Sequence, residues 1–393
     1  MENKQPVQYA KIGVLSAAHA LNDFYSNYLP QLLPFLVILI PGFTATQAAV
    51  LVSVFTITSS FAQPLIGLYL DRHGKRWFVY VGTLWMAVLL SLTGIVTSYA
   101  ALVAIAAAAG LGTALFHPQA ASMVNQMSGN KKGVVLSAFV ACGNVGFALS
   151  PLLLVPVFQT FGLAASLYTA IPGIIITVLL LMFTPRSQPD TTEVPSLKEV
   201  FTSLKSSARE LLAVMGVIAV RSLAFTGMLT MLPLYFKSEN ISNLNASYLL
   251  TILLISGAFG GLLGGFLSDR FGRKRLIVLS LIAATPLFFA FLYTQGIWST
   301  IFLGFAGAAL FANFSVTIVA AQEAIPANKA LAAGLTMGFA GGLGALAVIW
   351  IGNIADAFGL GAAISVLFCL PVLAGLAGLF MKSRPPEHSE RKN

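Results

Sequence analysis

Residues 67–76 read GLYLDRHGKR and residues 265–274 read GFLSDRFGRK, an offset of 198. The offset pairs Gly67 with Gly265, Asp71 with Asp269, Arg72 with Arg270 and Gly74 with Gly272. Each stretch closes one long apolar run and opens the next. A short loop on the inner face of a membrane protein is commonly basic. Two loops matched in glycine, acid and base at the same spacing call for more than that, and duplication supplies it. Glycine allows close helix approach and a tight turn, and an aspartate there can face a helix N-terminus or an arginine.

The chain has 393 residues, of which 57% are hydrophobic and only 9% charged, with a mean hydropathy of +0.86. Soluble domains carry about 25% charged residues, so this composition belongs to a polytopic membrane protein. Apolar spans fall near 11–40, 45–70, 77–97, 100–127, 134–158 and 163–183, and again near 209–236, 246–268, 276–294, 297–325, 330–354 and 359–381. Most reach the roughly 20 residues needed to cross ~30 Å of hydrocarbon. The fold class expected is an all-α membrane protein of twelve transmembrane helices in two pseudo-symmetric six-helix halves. Residues 1–183 form the first half and 207–393 the second, with a short cytoplasmic tail. Between them 184–206, with Pro185, Pro189 and Pro195, is a polar cytoplasmic linker whose LKEVFTSLKS portion suits an interfacial amphipathic turn.

The net charge of +9 raises the question of nucleic acid, but its distribution answers it. Of 22 Lys and Arg residues, 20 fall on the side that holds both termini, Lys237 lies opposite, and Arg221 is inside a span. The positive-inside rule then puts both termini in the cytoplasm. A basic inner rim suits anionic lipid headgroups, so lipids and not nucleic acid are the expected charged partners. The opening MENKQPVQYAK is polar and runs straight into the first span, unlike a cleaved signal peptide. Cys142 and Cys369 both fall in apolar spans and imply no disulfide framework.

Against this background one stretch is anomalous. Residues 19–30, HALNDFYSNYLP, carry His19, Asn22, Asp23, Ser26 and Asn27 within the first span. A charged residue at a bilayer centre costs roughly 2.5–3.5 kcal/mol on insertion scales. Positions 19, 23, 26, 27 and 30 share one helical face, so the stripe belongs against water or other helices. The offset of 198 carries Asp23 onto Arg221, an acid and a base at matching points of the two halves. Asp23 lies ~18 Å beyond Lys11, Arg221 ~18 Å beyond Arg209, and His117 ~15 Å from the inner end of the fourth span. All three therefore come near the midplane, where transporters built from repeats bind substrate.

The duplicated G-x-x-x-D-R-x-G-[RK]-[RK] loop in a 6+6 arrangement resembles the major facilitator superfamily over nearly the whole chain. Within it, HALNDFYSNYLPQLLP, FAQPLIGLYLDRHGKR, LFHPQAA, GNVGFALSPLL and AQEAIPANKALAAGLTMGFAGGLG are similar to drug exporters of the fosmidomycin-resistance type. The resemblance implies that the first, fourth, seventh and tenth spans surround a central cavity, and that the eight loop residues above serve gating. One departure stands out: where that group's fourth span reads FHPE, this chain has Gln119.

These readings give a set of expected roles. Asp23, with His19 and His117, is the proton-coupling group, and Arg221 is its counter-charge or an anchor for an anionic substrate. Asn22, Asn27, Gln119, Asn144 and Asn313 are further candidates for substrate contact, although membrane asparagines often bond helix to helix instead. Gln322 and Glu323 suit a helix end or gate. The glycines of the fifth span (Gly143, Gly146) and the eleventh (Gly334 to Gly344) let helices pack closely and slide.

The function expected is secondary transport: proton-coupled efflux of a small organic compound by alternating access, in a cell inner membrane, by a monomer without cofactor. No G-x-x-x-x-G-K-[ST] loop is present to bind ATP. Uptake or facilitated diffusion of an organic anion keeps the same fold with Arg221 as the anchor. Metal or metal-chelate transport is a third reading, since His19 and Asp23 have helical ligand spacing and His117 adds a nitrogen; no resident metal is expected. An enzyme would need a nucleophile beside a base, and the four histidines form no such set.

Overall fold

The computed structural model describes residues 7–73, 76–184, 205, 207–325, 332 and 334–383. Gly74, the side chains of Asp71 and Arg72, and nearly all of the expected linker lie outside the described residues. Helices and the turns between them make up what is described. They are α1 (Tyr9–Ser26), α2 (Tyr28–Leu39), α3 (Ala45–His73), α4 (Trp77–Ser91), α5 (Tyr99–Met127), α6 (Lys132–Phe161) and α7 (Ala170–Phe183). The second series is α8 (Ala208–Ser238), α9 (Asn243–Phe271), α10 (Arg273–Tyr293), α11 (Gly296–Phe311), α12 (Phe314–Ala324), α13 (Gly341–Phe358) and α14 (Leu360–Gly378). A π-helical turn, Gly334–Ala340, leads into α13.

Eleven helical stretches among the described residues are long and apolar enough to cross a membrane. The first expected span is broken at Asn27 into two shorter helices, α1 and α2. The tenth, though long enough overall, is broken near Asn313. Asn27 (φ −100, ψ 19) and Asn313 (φ −93, ψ 0) both sit in the bridge between helical and extended backbone. An asparagine side chain competes for nearby backbone groups and tolerates that conformation. At the first break Pro30 removes a further helical N–H, while the Ser150 hydroxyl and the Gln31 amide both donate to the Asn27 carbonyl.

The chain divides into two compact units, one of residues 1–43, 50–192 and 242–247, the other of 44–49, 193–241 and 248–393. In the first unit α1 packs along α6, α4 along α5, and α7 against both α1 and α4. In the second, α8 packs along α13, α10 along α11, and α14 against both α8 and α10. The pairing scheme is thus the same within each unit, as the repeated loop requires. Gly272, at the second copy of that loop, adopts φ +91, a backbone that only glycine enters without strain.

Helices in lipid gain little from the hydrophobic effect, so close backbone approach holds them. Gly146 of α6 lies so near α1 that a Cβ there would collide with the Ala20 carbonyl. Its repeat partner Gly344 does the same in the second unit, where a Cβ would fall 2.5 Å from the Ala219 carbonyl oxygen. In the first unit Leu15, Val79, Phe116, Val124 and Leu180 form a buried core joining α1, α4, α5 and α7 beneath the polar stripe.

The start of α3 is fixed twice. Thr44 and Gln47 exchange backbone-to-side-chain bonds in a capping box, both at 3.1 Å. The Asp356 carboxylate of α13 then accepts from the backbone N–H groups of Ala45 (2.8 Å) and Thr46 (2.9 Å). Asp356→Ala removes both acceptors and is expected to cost about 1 kcal/mol of stability, the usual worth of a cap. Asp356→Asn keeps one oxygen and should cost less. Thermal unfolding of detergent-purified protein reads both, and an unchanged midpoint for the alanine variant would contradict the capping role.

Candidate functional site

The polar stripe of α1 gathers a cluster with α5 and α6. Asp23 places Oδ1 at 2.9 Å from His117 Nε2 and Oδ2 at 3.4 Å from His19 Nε2. His19 and Asp23 meet because they stand four residues apart on α1. His117 arrives from α5, its ring edge-on to His19 with centroids 5.1 Å apart. The His19 ring is stacked on Phe139 of α6 at 4.1 Å, and its residue is only 5% exposed.

The far side of each ring decides the chemistry. His19 Nδ1 lies 2.8 Å from the Phe139 carbonyl oxygen, and His117 Nδ1 lies 3.0 Å from that of Thr113. A carbonyl can only accept, so each Nδ1 carries a hydrogen and donates it; this assigns the tautomer from its partner. In a neutral imidazole the remaining nitrogen is then a bare lone pair. Two such Nε2 atoms and a carboxylate face one another, with their ligating atoms all within 4.8 Å. Left to themselves they are all acceptors. The arrangement calls for a positive charge among them, and a proton or a metal cation has the right chemistry. Among the described residues this is the one group of three or more metal-capable side chains that converges.

Gly143 of α6 walls the cluster. A Cβ there would collide with Asp23 Oδ2 and lie 2.7 Å from His19 Nε2. Of the other stripe residues, Asn22 and Asn27 depart from the substrate-contact expectation. The Asn22 amide donates to the Ala18 carbonyl and the Thr83 hydroxyl, both at 2.9 Å, tying α1 to α4. The Asn27 amide donates to the Phe147 carbonyl at 3.0 Å, at the break between α1 and α2. Both residues are fully buried, and their geometry is that of helix-to-helix fasteners. Ser26 returns its hydroxyl to the Asn22 carbonyl. Gln119 is buried, while Asn144 is exposed one residue past Gly143.

Arg221 lies in the other unit and in different company. Its guanidinium sits over the Phe314 ring, 4.5 Å from the centroid, and the residue is 8% exposed. Asp23, expected as its counter-charge, engages two histidines within its own unit. No carboxylate of its own unit, among the described residues, forms an ion pair with Arg221, and its Nε is buried without a hydrogen-bond acceptor. A desolvated cation–π contact is worth about 2 kcal/mol, whereas burying a charge costs several kcal/mol. The ring alone therefore leaves the charge undercompensated. Asn313, next to Phe314, donates to Ser280 Oγ and the Leu310 carbonyl, an interhelical role. Glu323, expected at a helix end or gate, forms an ion pair with Arg273 at the start of α10. Of the gating-loop residues, Gly67 approaches Pro118 of α5 and Gly265 approaches Ser315 of α12, each 3.9 Å from where a Cβ would stand. Asp269 and Arg270 are exposed.

A family of transporters shares this arrangement of helices. A sequence model of the Major Facilitator Superfamily matches residues 15–348, and the chain belongs to that superfamily. It is 28% identical to "Uncharacterized MFS-type transporter YfnC" of Bacillus subtilis (strain 168), over 94% of this chain and 92% of that one. It is 27% identical to the "Fosmidomycin resistance protein" of Escherichia coli (strain K12), over 96% and 94% respectively. The crystal structure of the nucleoside transporter NupG superposes with a TM-score of 0.74 at 16% identity, covering 94% of this chain and 98% of that one. That last likeness concerns the fold.

Sequence reasoning missed the wall and the orienting groups of the cluster. Gly143 carried a signal, the close pair of glycines in CGNVG, though not its target. Phe139 and Thr113 carried none, because they act through backbone carbonyls that every residue possesses. Gly143→Ala is expected to push Asp23 and His19 apart and to abolish transport. Overpacking of this kind costs about 1–3 kcal/mol, read as a lower unfolding midpoint. Val145→Ala, at an exposed position on the same helix, serves as the control and should leave both readings unchanged.

Proposed function

We propose that the protein is a proton-coupled exporter of a small organic compound, exchanging protons for substrate by alternating access in a bacterial inner membrane, with both termini cytoplasmic. The observation that carries this reading is the convergence of His19 Nε2, His117 Nε2 and the Asp23 carboxylate, three acceptors whose rings have already committed their own N–H groups. A single added proton sits best between His117 and Asp23, the shorter contact, and makes the cluster neutral. A second, between His19 and Asp23, makes it cationic. Changing occupancy therefore changes the charge of a buried site by whole units, which is what coupling to a proton gradient needs. A proton crossing the membrane supplies ~2.3 kcal/mol per 100 mV, enough for roughly 50-fold accumulation at equilibrium. Export, rather than uptake, is supported by the relative named for fosmidomycin resistance, and the orientation by the basic residues on the side of the termini.

The test is substrate-driven proton movement in proteoliposomes, native against Asp23→Asn, with phosphonates, fluoroquinolone-type zwitterions and simple organic cations as the ligand panel. Native protein should move protons with one of these classes, and Asp23→Asn should lose that movement by at least tenfold, about 1.4 kcal/mol, while still binding the ligand. Coupling that survives in Asp23→Asn removes the cluster from the mechanism. The same donor set suits a divalent cation, and bound metal in the purified native protein would turn the reading to metal transport.

A further inference from the structure

The second unit holds a permanent cation that no acid of that unit, among the described residues, pairs with. Arg221 stands near the middle of α8, buried, with its Nε unpartnered. What lies over it is an aromatic ring joined to two more. One face of the guanidinium is covered by Phe314. Phe314 stacks with Phe311 at 6.3 Å, and Phe311 meets the edge of Phe225 at 4.8 Å. Phe225 is four residues beyond Arg221, on the same face of α8.

A ring covering a guanidinium face holds the plane in place and leaves its N–H edge for an acceptor. That edge presents donors in a flat fork, matched to two oxygens of one oxyanion and poorly matched to a cation or a neutral amide. The adjoining rings offer an apolar shelf to whatever carries the oxyanion. An uncompensated charge also weakens the fold that keeps it, and binding sites are where proteins tolerate that loss.

We propose that Arg221 is the substrate anchor of this transporter and that its ligands are small organic acids, with a carboxylate or phosphonate head and an apolar, preferably aromatic, body. The inference rests on the chain's transporting a small organic compound, and not on proton coupling through the first unit.

The experiment measures binding without any gradient, so its outcome is independent of the proton-flux test. Detergent-purified native protein, Arg221→Gln, Arg221→Lys and Arg221→Met are titrated with benzoate, phenylphosphonate, benzamide and benzyltrimethylammonium, followed by calorimetry and by unfolding midpoint. The two acids should bind native protein at least about tenfold more tightly than the neutral and cationic probes, the range expected for a charge-assisted pair. Arg221→Gln should lose that preference, and Arg221→Lys should keep part of it. Arg221→Met, without ligand, should unfold at or above the native temperature, because it removes a buried charge that lacks a protein partner. The inference is overturned if neutral or cationic probes bind as well as the acids, if no acid binds at millimolar concentration, or if Arg221→Gln binds the acids unchanged. A strongly lowered midpoint for Arg221→Met also overturns it, since that marks Arg221 as part of the scaffold. Benzoate against phenylphosphonate then tells which head the fork prefers.

Discussion

A carboxylate inside a membrane helix must be compensated where it stands, and in this protein two imidazoles do so. The compensation is incomplete by design of the hydrogen bonds behind the rings. Had either Nδ1 been left free, its histidine could have presented an N–H to Asp23, and the cluster would have been a satisfied, inert knot. Because the carbonyls of Phe139 and Thr113 fix both tautomers, the inner nitrogens have only lone pairs to offer. A positive charge shared with the carboxylate, a proton or a metal cation, is then what the site calls for. Much of the local packing follows from holding that geometry: the His19 ring lies flat on Phe139, and Gly143 yields the space a methyl group would occupy. Gly146, one turn further along, brings α6 against the backbone of α1.

How much of this a sequence can carry depends on where the signal lies. The duplicated loop and the twelve apolar runs gave the architecture directly, since hydrocarbon thickness and the loop repeat leave few alternatives. The stripe on α1 was legible because His19 and Asp23 share a helix, where a spacing of four has a fixed meaning. The meeting of Asp23 with His117, 94 positions away, was not, for side-chain identity carries no address. The repeat offset says nothing of partners either. It identified Arg221 as the place equivalent to Asp23, and equivalence in a duplicated fold says that two residues sit alike in their halves, not that they touch. Asn22 and Asn27 show the same gap from the other side. Their polarity drew attention to them, yet it serves Thr83 and the Phe147 carbonyl, partners that fasten helices together.

The two halves, built on one plan, have diverged at their matching first helices. Shifted by 198, His19 becomes Val217, Asn22 becomes Val220, Asn27 becomes Phe225 and Asp23 becomes Arg221. The polar stripe of α1 is replaced on α8 by an apolar face with one cation. Glycine contacts that hold the helices, such as Gly146 and Gly344, are kept in both. Packing thus retained the symmetry of the duplication, while the chemistry left it.

Under the roles proposed for Asp23 and Arg221, that divergence separates two tasks that one site performs badly. A group that carries protons must change its charge within the working pH range, which favours imidazole and carboxylate held close enough to share a hydrogen. A group that holds an anion through the membrane must not change its charge, which favours a guanidinium, always protonated. An acid beside the arginine would stabilise the empty protein and compete with the anion proposed to bind there. Placing the arginine beside Asp23 would have held the carboxylate ionised and removed its reason to take a proton. If the first-unit cluster carries protons and Arg221 holds the substrate, as proposed, each unit leaves one charge short of a partner, and in each the missing partner is something the protein moves: a proton in the first, an organic acid in the second.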